Sequence, residues 1–146
     1  MKLSSFARSK KFVPETLGNK ELPPEEQFYF TINTLENTDA FELNAVMLRA
    51  KRNDMEAEAL DKIVEGGVEK LSPEAQILKQ EAALAVIQGF GKVAVKYCEV
   101  HNLADGEGHP ITAQDLTKYP EFAETIVELM TFIMGISSPT EDDEKN

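Results

Sequence analysis

Tryptophan is missing from this chain of 146 residues, cysteine occurs once, and no apolar run comes near the ~18 residues that a membrane-spanning helix needs. Each absence excludes something. A single Cys98 forms no intrachain disulfide and makes no zinc site by itself, so neither kind of cross-link explains stability. The stretch Met1–Pro14 has basic residues but lacks the apolar centre of a secretory signal. Packing has to hold the fold, and a chain of this length buries roughly 68 to 70% of its unfolded surface, enough for one core. Cations are also scarce, 15 Lys and Arg against 26 Asp and Glu for a net charge of -11. That balance repels phosphates, whereas nucleic-acid affinity rests largely on Lys and Arg neutralising them. Neither nucleic acid nor membrane is expected as a partner.

What is present is unevenly placed. Residues 1–20 carry Lys2, Arg8, Lys10, Lys11 and Lys20 against Glu15, a net +4 that leaves -15 on the rest. A basic arm precedes an acidic body, as a terminus with incidental lysines or as an arm that docks on an acidic surface. Residues 13–26, VPETLGNKELPPEE, hold three prolines and one glycine and forbid a continuous helix, so they read as a linker or a wrapping segment. The period-2 pattern of Gln27–Ile32 sets Phe28, Phe30 and Ile32 on one side and Tyr29 and Thr31 on the other, which predicts a strand. Its nearest β-prone mate is Lys11–Val13.

Beyond Thr38 the period becomes helical. Phe41, Leu43, Val46, Met47 and Ala50 predict a first helix ending near Arg52. Asn53 or Asp54 can cap a second, short one carrying Met55, Leu60, Ile63 and Val64, with Gly66-Gly67 ending it. Ser72-Pro73-Glu74 is the clearest helix start, combining a capping hydroxyl, a proline at the first position and an early carboxylate. That helix is expected to run from Pro73 to about His101 and, because Ala82–Ile87 is apolar all round, to be the central buried element. Gly89 and Gly91 inside it require a close neighbour or a kink. Residues 102–111 read as a turn, Thr112 to about Lys118 as a short helix, and the chain from Pro120 as the last helix. Along the latter, Phe122, Ile126, Leu129, Ile133 and Ile136 form a core stripe. The Met-rich flank Val127, Met130 and Met134, together with Phe6 and Phe12 of the arm, is the expected protein-binding set. The fold class is mainly α with a short N-terminal β element. Its expected divisions are a basic arm at 1–26, a helical domain at 27–136 and an acidic disordered tail at 137–146.

The catalytic inventory is thin. His101 and His109 flank Asp105 and Glu107 without the spacing that fixes ligands around a metal, and Cys98 lies one helical turn from His101 with no third orienting group. Gly89-Phe90-Gly91-Lys92 lacks the strand and the spaced glycines of a phosphate loop. The glutamates are spread rather than paired. No catalytic residue, cofactor or metal ligand is nominated, and the protein is expected not to be an enzyme.

Three segments together carry a resemblance. KFVPETLGNKELPPEEQFYFTI, the stretch KYCEVHNL followed by PITAQDL, and the terminal EDDEKN resemble the tail assembly chaperones of tailed phages. The resemblance implies a non-enzymatic morphogenesis protein that coats the tape measure protein and delivers tail tube subunits in the cytoplasm of the bacterial host. A homo-oligomer is compatible with that role. The resemblance also implies a longer product made by backward ribosomal slippage near the end of the frame. Glu144-Lys145-Asn146 can be encoded by a run of adenines that would permit this. The rival readings are a structural tail or head-tail component of the virion and, in a third class, a small-molecule-binding or enzymatic helical domain.

Overall fold

Phe28, Phe30 and Ile32 are buried while Tyr29 and Thr31 are half-exposed, the outcome of the alternation read in Gln27–Ile32. The computed structural model describes residues 9–60 and 62–137. Strand β1 (Lys10–Phe12) pairs antiparallel with β2 (Tyr29–Ile32), setting Lys11 against Thr31 and Phe12 against Phe30. The expected mate is therefore found, one residue earlier. A third strand, β5 (Cys98–His101), closes the order β1-β2-β5, with Phe30 opposite Val100 and Tyr29 opposite His101. Mainly α with a small N-terminal sheet is the observed class.

The expected boundary at residue 26 moves towards the N-terminus, because the proline-containing segment is built into the domain. Asn19, completely buried, donates to the carbonyls of Pro14 and Phe28 and accepts from the Phe28 N–H, each at 2.9 Å. One side chain thus closes the loop between β1 and β2. Leu17 and Gly18 turn the chain with φ of 60° and 66°, a conformation that an exposed leucine adopts at a cost of about 1 to 2 kcal/mol. The arm residues Met1–Arg8 and the tail from Ser138 lie outside the described residues.

Helix α1 (Asn37–Ala59) runs without interruption through Asn53-Asp54, where a break was expected. No glycine or proline lies between them and Ala59, so the capping residues have nothing to cap. The predicted second helix is instead a hairpin, β3 (Lys62–Glu65) and β4 (Val68–Leu71). Gly66 and Gly67 are its two-residue turn at φ 59° and 78°, the doubly left-handed geometry that matches strand twist.

Helix α2 (Pro73–Lys92) begins as expected, with the Ser72 hydroxyl accepting from the Ala75 N–H at 3.3 Å. It ends nine residues before His101. The following VAVKYCEV is rich in β-branched and aromatic residues, and after a 3-10 turn at Ala94–Tyr97 it becomes β5. Gly89 has a packing reason: a Cβ there would lie 3.0 Å from Val46 Cγ1, so the glycine lets α1 and α2 approach. The segment expected as a helix from Thr112 is a 3-10 turn at Gln114–Lys118. It is opened by a reciprocal pair in which the Thr112 N–H donates to Asp115 and the Asp115 N–H to the Thr112 hydroxyl. A further short turn at Pro120–Phe122 leads into α3 (Ala123–Ser137). Phe122, Ile126, Leu129, Met130 and Ile133 face the core with Phe30, Ile32, Leu43, Val86, Phe90 and Leu116.

Candidate functional site: an apolar groove between three helices

Helix α3 has two flanks, and the described residues cover one of them. Phe12 stacks on Phe132 with ring centroids 4.5 Å apart, the Thr16 and Thr125 hydroxyls share a hydrogen bond of 2.7 Å, and the Glu128 carboxylate accepts the Glu15 N–H at 2.9 and 3.1 Å. Residues 12–16 therefore lie antiparallel along α3 and seal that side.

The opposite flank is open. Val127, 42% exposed, borders two adjoining concavities of about 250 and 270 Å³. The first is walled by Met47 and Ala50 of α1 and Ala82, Ala83 and Val86 of α2; the second by Ala83, Ile87, Ala123 and Glu124. Ala83 and Val127 belong to both, so the two form one shallow apolar groove. Small side chains make it: four of its residues are alanines, which fill little of the space between helix backbones. Its rim carries Lys51, Asp54, Lys79 and Glu124. Lys79 is held at 2.8 Å from Glu58, and that hydrogen bond raises its pKa, so its charge is already compensated within the chain.

The expected binding residues divide here. Val127 lines the groove. Met134 is half-buried on the same helix and packs against the core. Met130 is fully buried and is withdrawn from the surface set, because its position on α3 points it between Ile126 and Ile133 into the core. The Phe12 ring is taken by Phe132, and Phe6 lies outside the described residues. Sequence reasoning missed Ala83 and Ile87 because it took Ala82–Ile87 as buried all round, and Met47 and Ala50 because it used them only as the apolar face of the first helix. Ala82 and Val86 are buried, but Ala83 and Leu84 are exposed. The run of alanines was the available signal, since a helix that needs no large side chain on one face leaves room there.

The reactive groups lie elsewhere. Cys98 and His101 sit in a strand, not one helical turn apart, and point to opposite sheet faces. Burial pushes the Cys98 thiol up to about 12, which keeps it protonated and a poor nucleophile. His101 stacks on Tyr29 at 4.7 Å and shares a hydrogen bond with Thr31, while the Lys11 ammonium lies 4.3 Å from the centre of the Tyr29 ring. Asp105 accepts from the Glu107 and His109 backbone N–H groups as a turn, and among the described residues no group of His, Cys, Asp and Glu is placed to hold a metal ion. Gly89-Phe90-Gly91-Lys92 forms the last turn of α2, with Phe90 fully buried. Among the described residues no helix is long and apolar enough to cross a membrane.

Comparison with family models, with curated proteins and with solved structures finds nothing that matches this chain.

Proposed function

We propose that the chain is a non-enzymatic protein-binding helper of phage morphogenesis, of the tail assembly chaperone type, that works in the cytoplasm of the bacterial host. It shields an apolar stripe of the tape measure protein before tail tube subunits enclose it. The observation that carries the reading is the groove around Ala83 and Val127, apolar in lining and open along one side of α3. An amphipathic helix presents residues at i, i+3/i+4 and i+7, and a shallow trough walled by helices accepts such a stripe by van der Waals contact and burial. The resemblance of the N-terminal, KYCEVHNL and terminal segments supports the choice of partner. No cofactor is involved, and the rim charges set register more than affinity.

Co-expression with segments of a tape measure protein tests this. The chain should keep an apolar helical segment in the soluble fraction, and Val127→Glu should release it. Because burial of apolar surface is not screened, the complex should survive moderate salt. A complex that Val127→Glu leaves intact, or that moderate salt dissolves, sinks the groove as the binding surface.

A further inference from the structure

Helix α1 carries two lines of residues seven apart on opposite sides. The inner line, Leu43, Ala50 and Ala57, is buried. The outer line, Phe41, Leu48 and Met55, is 74%, 58% and 64% exposed, and its side chains are bulkier than those facing the core. Scattered exposed apolar residues are ordinary, but three in register over ~21 Å of one helix form a seam. A seven-residue period is also the period of a helix supercoiled on another helix.

The charges beside the seam identify its occupant. Acidic residues lie at the start of α1 (Asp39, Glu42) and near its end (Asp54, Glu56, Glu58), and cations lie between them (Arg49, Lys51, Arg52). The side chains of Arg49 and Lys51 make no hydrogen bond or ion pair among the described residues, while Glu42 engages Lys92 through one oxygen at 3.0 Å. With Phe41, Leu48 and Met55 as d positions, Thr38, Ala45 and Arg52 become a positions and Glu42 and Arg49 become e positions.

We propose that α1 pairs antiparallel with α1 of a second copy of this chain, so that Leu48 packs on Ala45 of the other copy and Arg49 meets its Glu42. In that register Met55 packs against Thr38, and the Arg52 guanidinium lies over the Phe41 ring, a cation–π contact. A parallel pairing would stack Arg52 on Arg52. The complementarity is mutual, since the two-fold axis repeats every contact. The seam lies on a different side of α1 from Met47 and Ala50, so the pairing leaves the groove open and goes beyond the function proposed above. One helix against one helix falls below the ~1,200 Å² of a standard interface, which makes the dimer one of the weak, transient class.

Sedimentation velocity on the full chain, from a few micromolar to several hundred, tests the proposal. The wild type should shift from one copy to two across that range. Leu48→Glu should stay monomeric with an unchanged melting temperature, because Leu48 contributes little to the monomer core. Arg49→Glu should weaken the dimer roughly tenfold, since it turns two opposite-charge contacts into two like-charge ones. Adding Glu42→Arg in the same chain should restore it. A wild type that remains monomeric throughout, or a dimer indifferent to Leu48→Glu, overturns the pairing. Indifference to Arg49→Glu overturns the antiparallel register. A monomer that binds a tape measure helix through Leu48 gives the seam to another occupant and also overturns it.

Discussion

The two flanks of α3 face the same solvent and are finished in different ways. Against one the chain lays its own residues 12–16, with an aromatic stack, a hydroxyl pair and a carboxylate receiving a backbone N–H. Against the other none of the described residues is laid, and the wall continues through alanines of α2 to Met47 and Ala50 of α1. The closed flank uses large rings and polar pins that fix one partner in one place. The open flank uses small apolar residues that ask only for a complementary shape. A side chain that serves folding should therefore matter to stability, and one that serves the groove should matter to binding alone.

Leu129 lies beneath both flanks and should give the largest effect. It is fully buried, and Leu129→Ala should cost about 2 to 5 kcal/mol by urea unfolding. A cost under half a kcal/mol would remove α3 from the core and the comparison with it. Asn19 organises the loop that leads to the closed flank, and Asn19→Ala leaves the Phe28 N–H and two carbonyls without their partner. Roughly 2 to 4 kcal/mol should be lost, as expected for several buried polar groups left unpaired. Phe12→Ala removes the half-buried stack on Phe132 and should cost roughly 1 to 2 kcal/mol, less than the truncation of a fully buried ring. If Phe12→Ala proved neutral in stability, the closed flank would be no more closed than the open one.

The far wall of the groove is α1, and its first turn is held by a polar clamp. Asp39 accepts from the Tyr97 hydroxyl at 2.5 Å and lies 2.9 Å from the Lys96 ammonium, and these hydrogen bonds hold its carboxyl below the ordinary value of 3.8. A carboxylate with a depressed folded-state pKa stabilises the fold above its unfolded value, and that contribution disappears as pH falls through the folded one. Wild type should thus lose a modest increment of melting temperature below about pH 4, and Asp39→Asn should flatten that part of the profile. An unchanged acid slope in Asp39→Asn would show that the clamp does not steady the wall.

Much of this architecture was legible in the sequence, for identifiable reasons. The alternation in Phe28–Ile32, the Ser72-Pro73-Glu74 start and the Phe122–Ile133 stripe are local signals, and each survives into the structure. Where reading failed, a local signal had two meanings. Gly66-Gly67 ends a helix as readily as it turns a hairpin, and only the β-branched Ile63, Val64 and Val68 beside it favour the hairpin. Cys98–His101 follows an apolar helix without punctuation, and its alternation becomes meaningful only beside β2, some seventy positions earlier in the chain. The groove was half legible. Val127 stood out on the Met-rich flank beside the core stripe, whereas Ala83 looked buried because a small apolar residue has no sequence signature of exposure.

Val127→Glu should have the smallest effect on stability and sharpens the comparison most. The side chain projects into the groove and is 42% exposed, so a glutamate there can turn its carboxylate to solvent, and unfolding should shift by no more than about 0.5 kcal/mol. The same carboxylate would be buried by any helix seated across Ala83 and would have to lose its water; of the two rim lysines, Lys79 is already engaged by Glu58 and Lys51 belongs to α1, the far wall of the groove. The stability loss and the binding loss are therefore predicted to separate: Phe12→Ala lowers stability and leaves capture of an apolar helix intact, while Val127→Glu does the reverse. Chemical unfolding and co-expression capture, run on both variants, read the two effects independently. If Val127→Glu costs as much stability as Phe12→Ala, Val127 is part of the core and the open flank is a packing defect. If it costs nothing and capture persists, the groove is a surface feature without an occupant. Only the crossed outcome makes the missing cover of α3 a binding site.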